Sequence, residues 1–225
     1  MSEISKTISN RIFELATYAI FLVFASPHHI AAQTSQAGFF SIVNAVSLQT
    51  NTVVSVDGKS LRPDGLKPGK VTGGLGFPAG SHRVDATNSD CKPSSLSLQL
   101  SPSASPLLII YSLESRNTSG QIAHELRLFS RPNSPPSNRK ALFAIYAGQS
   151  ASRVISFNGQ PMTLQPLREV SLANTSSVEV AENGQSIGRF AAEEAGNYVV
   201  VLFDKGPSLS GILAEDIIFK QAGQR

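Results

Sequence analysis

TVVSVDGKSL at residues 52–61 and RVISFNGQPM at residues 153–162 decide the reading of this chain. Each is a short run rich in apolar and β-branched residues that stops at an Asx-Gly pair, Asp57-Gly58 in one and Asn158-Gly159 in the other. Asx-Gly between such runs is a strong hairpin signal, because Asn, Asp and Gly tolerate the positive φ that a two-residue turn demands. Val56-Asp57-Gly58-Lys59 and Phe157-Asn158-Gly159-Gln160 lie 101 residues apart, so the chain states the same local instruction twice.

Working outward from both copies, the order of segments repeats. FFSIVNA (39–45) precedes the first hairpin and ALFAIYA (141–147) the second. SHRVDA (81–86), SLSLQL (95–100), PLLIIYSLE (106–114) and HELRLF (124–129) follow the first. REVSL (168–172), SVEVAENGQSIGRF (177–190), NYVVVLFD (197–204) and EDIIF (215–219) follow the second. SLSLQL alternates cleanly, with Leu96, Leu98 and Leu100 on one face, which is the period of a half-buried strand. PLLIIY is continuously apolar and rich in branched residues, as for a strand at the centre of a sandwich, and NYVVVLFD corresponds to it. Asn183-Gly184 is a further hairpin signal. Ala191–Gly196 offers a helical alternative of six residues, at most a turn. Between the two lists, SRPNSPPSNR (130–139) has three prolines and no aliphatic residue, the composition of a semi-extended linker.

The predicted fold class is therefore all-β: two tandem small antiparallel β-sandwich domains, immunoglobulin-like, covering residues 33–129 and 140–225 on either side of a linker at 130–139. Residues 1–32 read as a signal peptide. Lys6 and Arg11 precede the uncharged run LATYAIFLVFASP (15–27), and Ile30-Ala31-Ala32 suits a cleavage site before Gln33. A spanning helix needs roughly 20 apolar residues, and Pro27-His28-His29 ends this run early, so no mature membrane span is expected. The expected destination is the periplasm or the cell exterior.

Composition removes some functions. Charged residues are only 16% of the chain and the net charge is +3, without the clustered basic stripe of a nucleic-acid binder. Lys59, Arg62, Lys67 and Lys70 come nearest, interrupted by Asp64, Gly and Pro. They read as a solvated loop, with a phosphate or polyanion patch as the alternative. Trp is absent, which rules out Trp-based sugar platforms but leaves Phe and Tyr to stack on a sugar. One cysteine, Cys91, allows no internal disulfide.

No catalytic, cofactor-binding or metal residues are nominated. His28 and His29 leave with the signal, so His82 and His124 are the histidines of the mature chain, both read as surface or turn residues. Cys91, beside Asp90, Lys92 and Pro93, reads as a structural thiol in a loop. The neighbours Glu193-Glu194 and Glu215-Asp216 would point to opposite faces of strands and read as solvated edges. Gly74-Leu75-Gly76-Phe77-Pro78-Ala79 matches G-x-G-x-x-A but leads into a strand, so a loop or hairpin is expected in place of a dinucleotide site. Gly206-Pro207-Ser208-Leu209-Ser210 lacks the second glycine of a nucleophile elbow. Asn117-Thr118-Ser119 and Asn174-Thr175-Ser176 are sequons, relevant only to a eukaryotic secretory route.

Phe40-Ser41-Ile42-Val43-Asn44-Ala45, Val56-Asp57-Gly58 and Phe77-Pro78-Ala79-Gly80 resemble, in order, the V-R-V-x-N-A strand, V-D-G hairpin and L-P-A-G turn of a bacterial exported β-sandwich domain of unknown function. The architecture over residues 39–219 is also similar to the periplasmic alginate O-acetylation protein family, the AlgF type. The resemblance implies a non-catalytic envelope adaptor without cofactors, whose partners are a polysaccharide O-acyltransferase or the exopolysaccharide itself. Two other readings stand beside it: a structural cell-surface or matrix module, and an envelope serine esterase.

Overall fold

The computed structural model describes residues 36–116, 120–172 and 175–216. The expected signal peptide, the sequon residues Asn117 and Asn174, and residues 217–219 of the EDIIF stretch lie outside the described residues. Every regular element among those described is a β-strand, so the described part of the chain is all-β. The helical alternative near Ala191–Gly196 is not realised.

The first half comprises β1 (Ala37–Ala45), β2 (Val53–Val56), β3 (Lys59–Ser60), β4 (Lys70–Val71), β5 (Leu75–Pro78), β6 (Gly80–Asn88), β7 (Cys91–Leu100), β8 (Leu107–Arg116) and β9 (Ile122–Arg131). The second comprises β10 (Lys140–Ala147), β11 (Arg153–Phe157), β12 (Gln160–Leu164), β13 (Val170–Leu172), β14 (Ser177–Glu182), β15 (Gln185–Ala191), β16 (Gly196–Lys205) and β17 (Ser208–Asp216). Six ladders of the first half recur in the second. β1 pairs with β4 and β8 as β10 pairs with β13 and β16. β2 pairs with β3 and β6 as β11 pairs with β12 and β14. β6–β7 and β8–β9 are matched by β14–β15 and β16–β17.

The two hairpins that opened the reading form as their sequence demands. Asp57 and Asn158 have φ of 49° and 50°, followed by Gly58 and Gly159 at 78° and 80°. Both Asx residues also tie their turn to the neighbouring strand by the same reciprocal pair. Asp57 N donates to Arg83 O at 2.9 Å and Arg83 N to Asp57 Oδ1 at 2.9 Å; Asn158 N donates to Glu179 O and Glu179 N to Asn158 Oδ1, each at 2.8 Å. The tight turn and the crosslink thus come from one residue type.

The expected antiparallel arrangement holds for most ladders but needs correction at the centre: β1–β8 and β10–β16 are parallel. In the second half the intervening strands β11, β12, β14 and β15 form a separate sheet, ordered β12-β11-β14-β15, whereas in the first half one continuous sheet runs β3-β2-β6-β7-β9-β8-β1-β4. In both, the chain re-enters beside its first strand in the same direction after a long crossover.

Side-chain alternation explains why Leu107–Tyr111 of β8 and Tyr198–Phe203 of β16 are apolar without a break. Leu108 and Ile110 face the core of the first half, with Phe40, Ile42, Val54, Val84 and Leu126. Tyr198, Val200 and Leu202 face that of the second, with Leu142, Ile155 and Val180. The intervening residues meet in a third apolar cluster drawn from both halves: Val43, Ala45, Leu107, Ile109 and Tyr111 against Ile145, Val199, Val201, Phe203 and Ile212. These strands are buried on both faces because the sheet containing β1 and β8 backs onto the sheet containing β10 and β16.

Residues 132–139 run without regular structure between β9 and β10, but they are tied to both sides. Asn197 Nδ2 donates to Pro135 O at 2.7 Å, and Gly196 N to Arg139 O at 3.1 Å. Arg131, 4% exposed, donates to Asp216 Oδ2 at 2.8 Å and to Ser134 Oγ at 2.7 Å, pairs with Glu169, and lies over the ring of Phe143. Asp216 departs from the expected solvated edge: its neighbour Glu215 is exposed, whereas Asp216 is the buried partner of this arginine.

Candidate functional site

The loops of the first half carry the principal cavities. Arg62-Pro63-Asp64-Gly65 closes a turn through Gly65 N to Arg62 O at 3.0 Å, with Gly65 at φ 71°. A Cβ at residue 65 would stand 3.0 Å from the Thr52 carbonyl, so glycine is required for the close approach. Thr52 and Leu66 then exchange backbone hydrogen bonds of 2.9 and 2.7 Å. Asn44, fully buried on β1, fixes the far side. Its Nδ2 donates to Leu66 O at 2.8 Å, its Oδ1 accepts from Val46 N at 3.3 Å, and its carbonyl accepts from Gly69 N at 2.8 Å. The Asn of the FFSIVNA strand is therefore a peg holding loop 61–69 in place.

Two cavities flank that loop. One, of about 540 Å³, is lined by Arg62, Asp64, Lys67, Lys70, Val71 and Thr72 among others, all from the first half. The other, of about 310 Å³, lies at the junction of the halves. Residues 46–49, Asn51 and Lys67–Gly69 line it from the first half, and Phe203, Lys205 and Ser210 from the second. The two share Asn51 and Lys67. Four cations stand around them against one carboxylate, Asp64. Among the described residues none of the four cations forms an ion pair. Arg62, Lys67 and Lys70 are exposed, as residues of a solvated loop are, but the fold gathers them around concave surface. Their spacing in the sequence hinted at this patch; the contribution of Lys205, from the other half, left no signal.

The other candidates group differently. His82 is 9% exposed, with Nδ1 2.7 Å from Asp57 Oδ2 and Nε2 2.7 Å from Pro78 O. Hydrogen bonding to Asp57, then to the Pro78 carbonyl, raises its pKa above the ordinary 6.5, and the His82 contact draws the Asp57 carboxyl below 3.8. A general base for a serine must offer a free nitrogen, and here both are engaged with acceptors. His82 acts as an imidazolium clamp between the β2–β3 turn and the β5–β6 corner.

Cys91 opens β7, and its Cα partner across the β7–β9 ladder is His124. Burial, then the Asp90 charge, pushes the thiol up to about 11, which keeps it protonated. His124 Nδ1 is buried without a hydrogen-bond partner, so the two do not form a thiolate–imidazolium pair. Glu193, Glu194 and Glu215 line a depression of about 300 Å³. No group of metal-ligating residues occurs among the described residues. Leu75–Pro78 of the glycine-rich motif is strand β5, paired to β1, and Gly206-Pro207 is the β16–β17 hairpin turn. The first therefore departs from the expected loop or hairpin, since β5 pairs with β1 and not with the β6 that follows it.

The arrangement suits binding of an anion at concave, hydroxyl- and amide-bearing surface. Comparison with known proteins adds no family: no family model matches this chain, and no curated protein matches it.

Proposed function

We propose that this chain is an exported, non-catalytic binding protein of the bacterial envelope that holds an acidic polysaccharide and adapts it to the machinery of its O-acetylation or export. In this reading a signal peptide delivers two tandem immunoglobulin-like β-sandwich units to the periplasm or cell exterior, where a membrane O-acyltransferase is the protein partner. The observation that carries the reading is the gathering of Arg62, Lys67, Lys70 and Lys205 around adjoining cavities, in a chain whose overall charge is only +3. The engaged nitrogens of His82 and the protonated thiol of Cys91 favour binding over nucleophilic chemistry.

Affinity electrophoresis tests it. Migration of the mature protein through a native gel containing a polyuronate is expected to be retarded, with no retardation in dextran, and the effect is expected to weaken as salt screens the contact. The charge reversal Arg62→Glu, Lys67→Glu, Lys70→Glu is expected to abolish retardation. Equal migration with and without polyuronate, or unchanged retardation of the triple variant, would overturn the proposal.

A further inference from the structure

We infer that the junction cavity is a subsite for one anionic sugar ring, whose carboxylate or phosphate is held between Lys67 of the first half and Lys205 of the second. The inference rests on the proposed saccharide-binding function and adds to it the unit recognised and the sharing of that recognition by both halves.

Size comes first. At about 310 Å³ the junction cavity is at the small end of the roughly 300–1,000 Å³ span of ligand pockets, which suits a single ring better than a chain of them. Charge comes next. Lys67 and Lys205 line it and no carboxylate does, whereas the neighbouring open cleft includes Asp64. Two ammonium groups without guanidinium geometry select for negative charge and not for one planar anion, so carboxylate and phosphate are both accommodated. The rest of the lining is mixed in the way a sugar ring is. Ser47, Ser210, Gln49 and Asn51 offer hydroxyls and amides, while Val46, Leu48, Pro68 and Phe203 offer apolar surface to ring C–H groups.

The two lysines are carried on fixed backbone. Lys67 sits between Leu66, bridged to Thr52, and Gly69, bonded to Asn44. Lys205 ends β16 opposite Ser208, across a turn closed by Gly206 at φ 61°. Phe203 and Ser210 are cross-strand partners on the same hairpin. Ser47 is held by Ser112, with the two hydroxyl oxygens 2.9 Å apart. Such fixed elements lower the ordering cost of binding. Because the lysines belong to different halves, an occupied cavity links the halves at the rim of their shared apolar cluster, and the ligand should raise the thermal midpoint of the whole molecule.

The test uses the mature protein with glucuronate, glucose 6-phosphate, glucose and inorganic phosphate as calorimetric and thermal-shift probes. Glucuronate or glucose 6-phosphate, or both, are expected to bind and raise the midpoint, and the stronger of the two identifies the anion; glucose is expected to bind far more weakly. Lys205→Gln, at an exposed position outside the open cleft, is expected to weaken sugar-acid binding roughly tenfold or more, the loss of one charge-assisted contact. Lys70→Gln, in the open cleft alone, is expected to leave it within about twofold of the unaltered protein, since an exposed charge outside the cavity is screened. Unaltered thermal unfolding of the Lys205→Gln protein without ligand shows that it folds. Sugar-acid affinity unchanged in Lys205→Gln overturns the subsite even if polyuronate retardation persists. Glucose binding as tightly as glucuronate overturns the lysine clamp, and phosphate binding with no sugar acid bound overturns the sugar. Loss of polymer retardation with the Lys205-dependent binding of glucuronate intact removes the polymer reading and leaves the subsite standing.

Discussion

The two halves share six ladders, two Asx-Gly crosslinks and a central strand buried on both faces, yet they spend their polar residues differently. In the first half the chain between the third strand and β4 is residues 61–69; the matching connection in the second is residues 165–169. The longer connection carries Lys67 and Arg62 and frames the cavities. The first half also closes one corner by pairing β7 with β9. In the second half the equivalent strands β15 and β17 form no ladder, and Phe190 lies against Gly211, where a Cβ would stand 2.4 Å from its ring. What the halves share is the fold, and what distinguishes the first half is where the candidate site lies.

The sharpest contrast is at the end of the central strand. Registers place Ser112 and Asp204 one residue beyond the matched pairs Ala45–Tyr111 and Ala147–Phe203. Ser112 Oγ accepts from Ser47 N at 3.3 Å. Asp204 accepts from Gln149 N at 2.9 Å, from the fully buried Tyr146 hydroxyl at 3.0 Å, and from Arg153 at 2.7 Å, while Arg153 also pairs with Glu182 at 2.8 Å. The serine closes a turn, whereas the aspartate neutralises an arginine. Asp204→Ser, which gives the second half the residue of the first, should therefore destabilise by about 3 kcal/mol, the low end for a broken buried pair because Arg153 keeps Glu182. Urea unfolding measures this, and a loss below about 1 kcal/mol would mean that the network contributes little net stability.

Asn44 and Tyr146 form the next contrast, the penultimate residues of FFSIVNA and ALFAIYA. Both carbonyls receive the loop before the next paired strand, Gly69 N on Asn44 and Leu167 N on Tyr146, each at 2.8 Å. Only Asn44 adds a side-chain amide to that contact. Asn44→Ala removes one of the two donors to Leu66 O, which keeps Thr52 N, and takes the side-chain acceptor from Val46 N, with an expected cost of about 1 kcal/mol. Hydrogen exchange should quicken across residues 61–69 while the amides of 165–169 keep their protection. Equal effects on both loops would show that the peg is not local.

How much of this was legible follows from what leaves a periodic trace. The Asx-Gly turns and alternating Leu96, Leu98 and Leu100 specify local geometry, and the strands stand where those residues predict them. The parallel entry of β8 beside β1 depends on long-range order and leaves no local mark. The continuous apolarity of PLLIIY was visible, but a strand buried within one half and a strand buried between the two halves read alike. The order of segments, which set HELRLF against EDIIF, misled: opposite the matched residues Ile109 and Val201 stand Phe129 and Ile212, so the true counterpart of the β9 segment precedes EDIIF. Of the site, the basic residues at 62, 67 and 70 could be read as a patch, while Lys205 joins them only through the packing of the halves.

The smallest expected effect uses the two hairpins against each other. Asp57 and Asn158 hold the same turn and crosslink, but only Asp57 has a histidine beside it; the residue before the crosslinked Glu179 is the buried Val178, where the first half has His82. Asp57→Asn should therefore preserve the turn and the bond from Arg83 N while removing the carboxylate from the imidazolium. His82 has its folded pKa raised above 6.5, so its contribution to stability is complete below that value and is lost as pH rises through the raised pKa. Asp57, drawn below 3.8, contributes above that value and loses its contribution as pH falls through the lowered pKa. The clamp is thus strongest between the two. The urea midpoint of the unaltered protein should decline as pH rises above 6.5 and through the raised pKa of His82, and that decline should flatten in Asp57→Asn. Parallel pH profiles for the two proteins would assign the titration elsewhere and leave the hairpins alike in energy as well as in form.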